Sequence, residues 1–83
     1  MKVTLKLYAS LGQYLPAAAH KNEIELDVEP GTTAAGLLAR HNVPEGMCHL
    51  VLVNGSFVPV DARAALALKE GDALAAWPPV AGG

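Results

Sequence analysis

The chain has 83 residues, 52% of them apolar and only 5% aromatic, with a formal charge of −2. A single domain of this length buries only about 60% of the surface its unfolded chain exposes, so a deep cavity enclosing a cofactor is not expected. The charges form no basic stripe of the kind that neutralises nucleic-acid phosphates, and the lone Cys48 excludes an internal disulfide and a cysteine-rich metal site.

Residues 2–9 (KVTLKLYA) alternate, with Val3, Leu5 and Leu7 on one side and Lys2, Thr4 and Lys6 on the other. That period of two predicts a half-buried strand. The stretch lacks the continuous apolar run of a signal peptide and nothing later is long enough to span a bilayer, so a cytoplasmic protein without membrane association is expected. Residues 10–16 (SLGQYLP) allow one helical turn ended by Pro16, and residues 17–22 read as a loop. Residues 23–28 (EIELDV) repeat the strand pattern with Ile24, Leu26 and Val28 inward, and Glu23, Glu25 and Asp27 form its wet face. The short connection makes an antiparallel pair the simplest arrangement.

The period changes in residues 29–44 (EPGTTAAGLLARHNVP). Thr32 or Thr33 can cap a helix whose Ala34, Leu37, Leu38 and His41 fall on one face, and Asn42 and Pro44 end it. Gly36 costs about 1 kcal/mol against alanine there, which close approach of the helix to a sheet would justify. So short a helix needs tertiary packing to hold it.

Residues 49–53 (HLVLV) read as a central strand, with Leu50 and Leu52 facing the helix. Val51 and Val53 then lie on the open face, where an apolar patch beside the chain end suits docking unless Phe57 or Tyr8 covers it. Asn54-Gly55 signals a tight turn, and Pro59 in residues 57–60 (FVPV) places the next strand at an edge. A turn through Gly71 leads to the last strand, residues 73–77 (ALAAW), from which Pro78-Pro79 departs. The order β, β, α, β, β, β is that of a small α+β domain with one main helix on one face of a mixed sheet. Two antiparallel arms joined by a helical crossover describe a β-grasp, the ubiquitin-like fold, over residues 1–77 with a tail at 78–83.

A C-terminal carboxylate is a poor electrophile until it is activated, and an enzyme that adenylates it must draw the chain end through a narrow channel. Gly82 and Gly83 have no side chains to jam such a channel, while Pro78-Pro79 is stiff, extended and has no N–H to pair back onto the sheet. Elsewhere, Cys48 reads as a small half-buried hydrophobe. His20, His41 and His49 have no metal-ligand spacing.

With "LVNGSFV", "LKEGDALAAWPPV" and the closing "AGG", nearly the whole chain resembles the sulfur carriers of the molybdopterin and thiamin pathways, the MoaD/ThiS family. Molybdopterin-synthase small subunits typically end in two aromatics, Pro-Pro, a short linker and Gly-Gly. Trp77, Pro78, Pro79, Val80, Ala81, Gly82 and Gly83 match that ending with one aromatic where two are common, and the Pro-Pro element favours the molybdopterin side. The resemblance implies that an E1-like enzyme, consuming ATP, adenylates the Gly83 carboxylate. Sulfur from a donor such as a cysteine desulfurase or rhodanese then converts it to a thiocarboxylate. The tail delivers that sulfur inside a large synthase subunit, forming the dithiolene that binds molybdenum or tungsten. On this resemblance Gly83 would be the reacting residue and Gly82 would thread, while residues 77–81 would meet the partners together with Val51, Val53 and Phe57, the last three expected from the apolar patch on the open face. The protein would be a co-substrate that binds no cofactor or metal and supplies no catalytic group. The compact segment "HNVPEGMCH" and the single aromatic fit a divergent member serving another sulfur-dependent pathway, such as a tungsten-cofactor system. Thiamin synthesis is a second destination. A protein modifier joined through Gly83 by isopeptide bonds, or an interaction module with incidental glycines, are readings from other classes.

Overall fold

The computed structural model describes residues 1–80. The two alternating segments become β1 (Lys2–Leu7) and β2 (Glu23–Asp27), paired antiparallel with Val3 opposite Leu26 and Leu5 opposite Ile24. Between them a 3₁₀ helix, Ala9–Tyr14, buries Leu11. The exposed Lys2–Asp27 ion pair at 2.9 Å closes the outer end of the pairing. Solvent screening makes such a contact worth little. Helix α1 (Ala34–Arg40) then carries the chain to β3 (Leu50–Val53), β4 (Ser56–Phe57) and β5 (Ala73–Trp77).

The sheet order is β2-β1-β5-β3-β4, with β1 and β5 parallel and every other pair antiparallel. Two hairpin-like arms therefore flank β5, and α1 crosses from one arm to the other, which is the β-grasp arrangement. Strand β5, not β3, lies in the middle. The edge position expected for the segment before Pro59 holds, but β4 is only two residues long and Pro59 leads into a 3₁₀ turn at Val60–Ala62.

Helix α1 starts where Thr33, in an extended conformation, accepts the Gly36 amide on its hydroxyl at 3.0 Å. This side-chain cap satisfies one of the amides that a helix start leaves without a partner. Ala34, Leu37 and Leu38 are buried against the sheet, whereas Gly36 faces solvent. A Cβ at Gly36 would meet only the Thr33 hydroxyl, at 3.0 Å. The glycine thus leaves room for the cap, and close approach to the sheet is not its reason. His41, the residue after the helix, has its pKa lowered by partial burial and by the neighbouring Arg40 charge.

The core comprises Val3, Leu5 and Leu7 of β1, Leu74 and Ala76 of β5, and Leu37 of α1, joined by Leu11 and Val51. The placement of Val51 reverses the expected β3 register. Val51 is fully buried opposite Ala76, and Val53 packs on the core opposite Leu74, so both valines face the helix. Four consecutive apolar residues carry no alternation of their own, and the ladder to β5 fixes which pair points inward. Leu50 and Leu52 take the open face.

The turn between β3 and β4 is tied to the start of β5. Asn54 and Gly55 both have positive φ, at 51° and 82°, as a two-residue hairpin requires. The Asn54 side chain donates to Asp72 at 2.8 Å and accepts the Ala73 amide at 2.8 Å, while Asp72 also accepts the Lys69 amide at 2.7 Å. The Lys69 amide, followed by the Asn54 side chain, pulls the Asp72 pKa below its ordinary 3.8. A depressed carboxylate pKa adds stability that is fully present above 3.8 and is lost as pH falls through the lower folded value. Chemical denaturation of native protein and Asp72→Asn should therefore show the variant less stable at neutral pH. The gap between them should shrink on acidification below that range; a gap independent of pH would contradict this role.

Candidate functional site: the open sheet face and the root of the tail

Strand β5 ends at Trp77 under constraint from both neighbours. The Ala76 carbonyl accepts the Tyr8 amide at 3.1 Å and the Trp77 carbonyl accepts the His49 amide at 2.9 Å. The indole also stacks on Tyr8, with ring centroids 4.6 Å apart and planes within 12°. The single aromatic before Pro78 is thus paired in space with a second one from the end of β1. Pro78 and Pro79 then have no amide to continue the ladder, so strand structure stops at Trp77, and Pro79 and Val80 are exposed. The point of departure of the tail is fixed by the sheet itself.

Register places Leu50 opposite Trp77, and Leu52 opposite both Ala75 and Phe57. These five residues share the open face. Leu50, Leu52 and Trp77 are half-buried, and Phe57 is 60% exposed. On the far side of β5 the same face is polar, with Thr4 and Lys6 of β1 opposite Glu25 and Glu23 of β2. The face is therefore divided into an apolar half beside the tail root and a charged half along β1 and β2. An exposed phenyl on an apolar strip is a surface of the kind that docking faces carry, and the strip runs to the root of the tail.

Of the residues expected to meet partners, Phe57, Trp77, Pro78, Pro79 and Val80 lie together at this end of the open face. Val51 and Val53 do not, being on the helix side, and Leu50 and Leu52 stand in their place. Ala81, Gly82 and Gly83 lie outside the described residues. Among the described residues no cluster of metal-ligating side chains occurs, and no helix is long and apolar enough to cross a membrane. Cys48 is buried, its thiol against the Pro44 carbonyl at 3.6 Å. Burial pushes its pKa up against the opposing pull of Arg63, which is the condition of an inert thiol.

Solved structures share this architecture, among them the following three. The chain superposes on SAMP1 from Haloferax volcanii with a TM-score of 0.68 and 26% identity over 100% of both chains. A protein of Pyrococcus furiosus assigned as molybdopterin converting factor subunit 1 gives 0.63 and 25% identity, over 95% of this chain and 98% of that one. The complex of subunits 1 and 2 of the molybdopterin-converting factor from Helicobacter pylori gives 0.59 at 18% identity, over 100% of both chains, which extends the likeness in fold alone. No curated protein sequence matches the chain significantly. The ThiS family model matches residues 10–83, a span that takes in the whole open face from β2 onward, the tail root and the closing glycines, and the chain belongs to the ThiS family.

Proposed function

We propose that the protein is a sulfur carrier used through its terminal glycine, and that it donates sulfur in molybdopterin synthesis for a molybdenum or tungsten cofactor. The observation that carries this reading is the joining of a ThiS-family β-grasp to a tail whose root is clamped by sheet bonds and the Tyr8–Trp77 stack. An E1-like enzyme would transfer AMP from ATP to the Gly83 carboxylate, releasing pyrophosphate. The terminal sulfur of a donor persulfide then attacks the acyl carbon and AMP leaves. A thiol cleaves the resulting acyl disulfide, so that –COS⁻ stays on Gly83. The large subunit of a synthase would receive the charged tail, in keeping with the 25% identity to a molybdopterin converting factor subunit 1.

The test is pyrophosphate exchange into ATP by an E1-like enzyme from the same cells, which should depend on added carrier. Phe57→Ser should raise the carrier concentration needed for half-maximal exchange by about tenfold or more, as for loss of an exposed aromatic anchor. The maximal rate and the melting temperature should stay as they were, because this side chain is 60% exposed in the free protein. An unchanged concentration dependence would remove the apolar strip from the docking surface.

A protein-modifier role is the second reading, favoured by the 26% identity over the full chain to SAMP1, a small archaeal modifier protein. The same Gly83 adenylate would then be attacked by a lysine amine. Conjugates of higher mass that depend on Gly83 would support that outcome.

A further inference from the structure

Asn54 is the one asparagine of the chain that glycine follows; Asn22 precedes Glu23 and Asn42 precedes Val43. The Asn54-Gly55 pair serves the turn between β3 and β4, where both residues have positive φ. It also carries a reactivity of its own. The backbone nitrogen of the residue after an asparagine can attack the side-chain amide, and a glycine there has no side chain to hinder the approach. Asn54 and Gly55 are both exposed, so water and base reach the pair.

The fold holds this reaction in check. Asn54 clasps the start of β5 with both ends of its side-chain amide: Oδ1 accepts the Ala73 amide at 2.8 Å, and Nδ2 donates to Asp72 Oδ1 at 2.8 Å. Its backbone amide donates to the Ala73 carbonyl at 2.9 Å. Asp72 is only 6% exposed and is itself fixed, its second oxygen accepting the Lys69 amide at 2.7 Å. The Asn54 side chain is therefore not free to turn. Any rotation about its Cα–Cβ bond that carries the amide carbon toward the Gly55 nitrogen breaks both side-chain contacts.

We propose that Asn54 is a deamidation site gated by this clasp, closed in the native turn and opened when the turn lifts from the start of β5. In the reaction the Gly55 nitrogen bonds to the Asn54 amide carbon and gives up its proton to base, and the side-chain nitrogen leaves as ammonia. Water then opens the cyclic imide at either carbonyl, leaving aspartate or its β-linked isomer at position 54. Neither product can remake the clasp. A carboxylate oxygen would stand where Nδ2 donated, facing Asp72, and like charges at that separation repel. The β-linked isomer also adds a carbon to the main chain between Val53 and Ser56, which are opposed across the two-residue turn. Leu52 and Phe57 form the next pair, so the change loosens the apolar strip of the open face. The site stands whether or not the sulfur-carrier reading holds.

Incubation of the full chain at mildly alkaline pH, followed by peptide mapping for the exchange of a side-chain amino group for a hydroxyl and for β-linked product, tests it. Modification is expected at Asn54 and not at Asn22 or Asn42, at a rate well below that of the chain unfolded in urea. Asp72→Ala, checked as folded by circular dichroism, should react about tenfold faster or more, since a hydrogen bond to a charged acceptor no longer holds the side chain. Because that variant also frees the Lys69 amide, the native chain is followed in parallel at urea concentrations below its unfolding transition. Lifting of the turn alone exposes little surface, so the rate should stay nearly constant there, whereas reaction through global unfolding would climb steeply with urea. The purified product should exchange its Ala73 and Val58 amides with solvent faster than the unmodified chain. A native rate equal to that of the unfolded chain, a rate that climbs with urea as the unfolded fraction does, a folded Asp72→Ala no faster than native, or a product with unchanged amide exchange would each overturn the proposal.

Discussion

Deleting Gly83 alone is expected to abolish thiocarboxylate formation while leaving the melting temperature unchanged. The fold is complete without it: the buried core runs from Val3 to Ala76, and the last strand ends at Trp77. On the sulfur-carrier reading, activation would depend on where the terminal carboxylate arrives. With Trp77 clamped between Tyr8 and His49, the reach of the tail is set by the number of residues beyond it. Removing one shortens that reach by about 3.5 Å. A displacement of about 1 Å from productive geometry can already cost a hundredfold in rate, so a full residue should take activation below detection. A carrier lacking Gly83 that still accepts sulfur at a comparable rate would show that the terminal residue is not the reacting one.

Leu74→Ala should produce the opposite pattern, loss of stability first and loss of function only through it. Leu74 is fully buried in the middle strand, opposite Leu5 on one side and Val53 on the other. Truncating a leucine in such a site removes its transfer free energy and leaves a cavity that neighbouring strands cannot close, a cost of about 3–5 kcal/mol. At about 0.05–0.15 kcal/mol per residue, a domain of this size has roughly 4–12 kcal/mol in all. The variant should thus sit at the edge of unfolding, with a melting temperature lower by about 15–30 °C. Circular dichroism during thermal denaturation separates this from the Gly83 deletion. A shift of only a few degrees would mean that β5 does not occupy the centre of the core.

The parts of the fold that were legible are those where sequence period and chain proximity agree. Residues 2–7 and 23–28 alternate cleanly and follow one another in the chain with only the 3₁₀ helix Ala9–Tyr14 and its flanking turns between them, so strand type, inward residues and pairing could all be read. A threonine cap for α1 could be read, though not the choice of Thr33 over Thr32, and of its apolar face Ala34, Leu37 and Leu38 could be read, whereas His41 lies beyond the helix end. Strand β3 was misread because Leu50, Val51, Leu52 and Val53 are all apolar, and its inward pair is chosen by contact with β5, which is distant in sequence. The hairpin turn carried a usable signal: Phe57, opposite Leu52, is followed by the buried Val58, so Leu52 belongs with the exposed ring. The Tyr8–Trp77 stack joins opposite ends of the chain and depends on the parallel β1–β5 register, which no local pattern encodes. Arg63 was invisible for a related reason. A single arginine in an alanine-rich connection looks solvated until the folded carbonyls of Cys48 and Val58 are seen to hold it.

The chemistry at Gly83 is best tested by the intact mass of the protein taken from its own cells under conditions that preserve thioacids. The sulfur-carrier reading expects a population heavier by the exchange of one oxygen for one sulfur, with fragmentation placing the change on Gly83. Only unmodified carboxylate, in cells where the activating enzyme is abundant and the cofactor is being made, would contradict it.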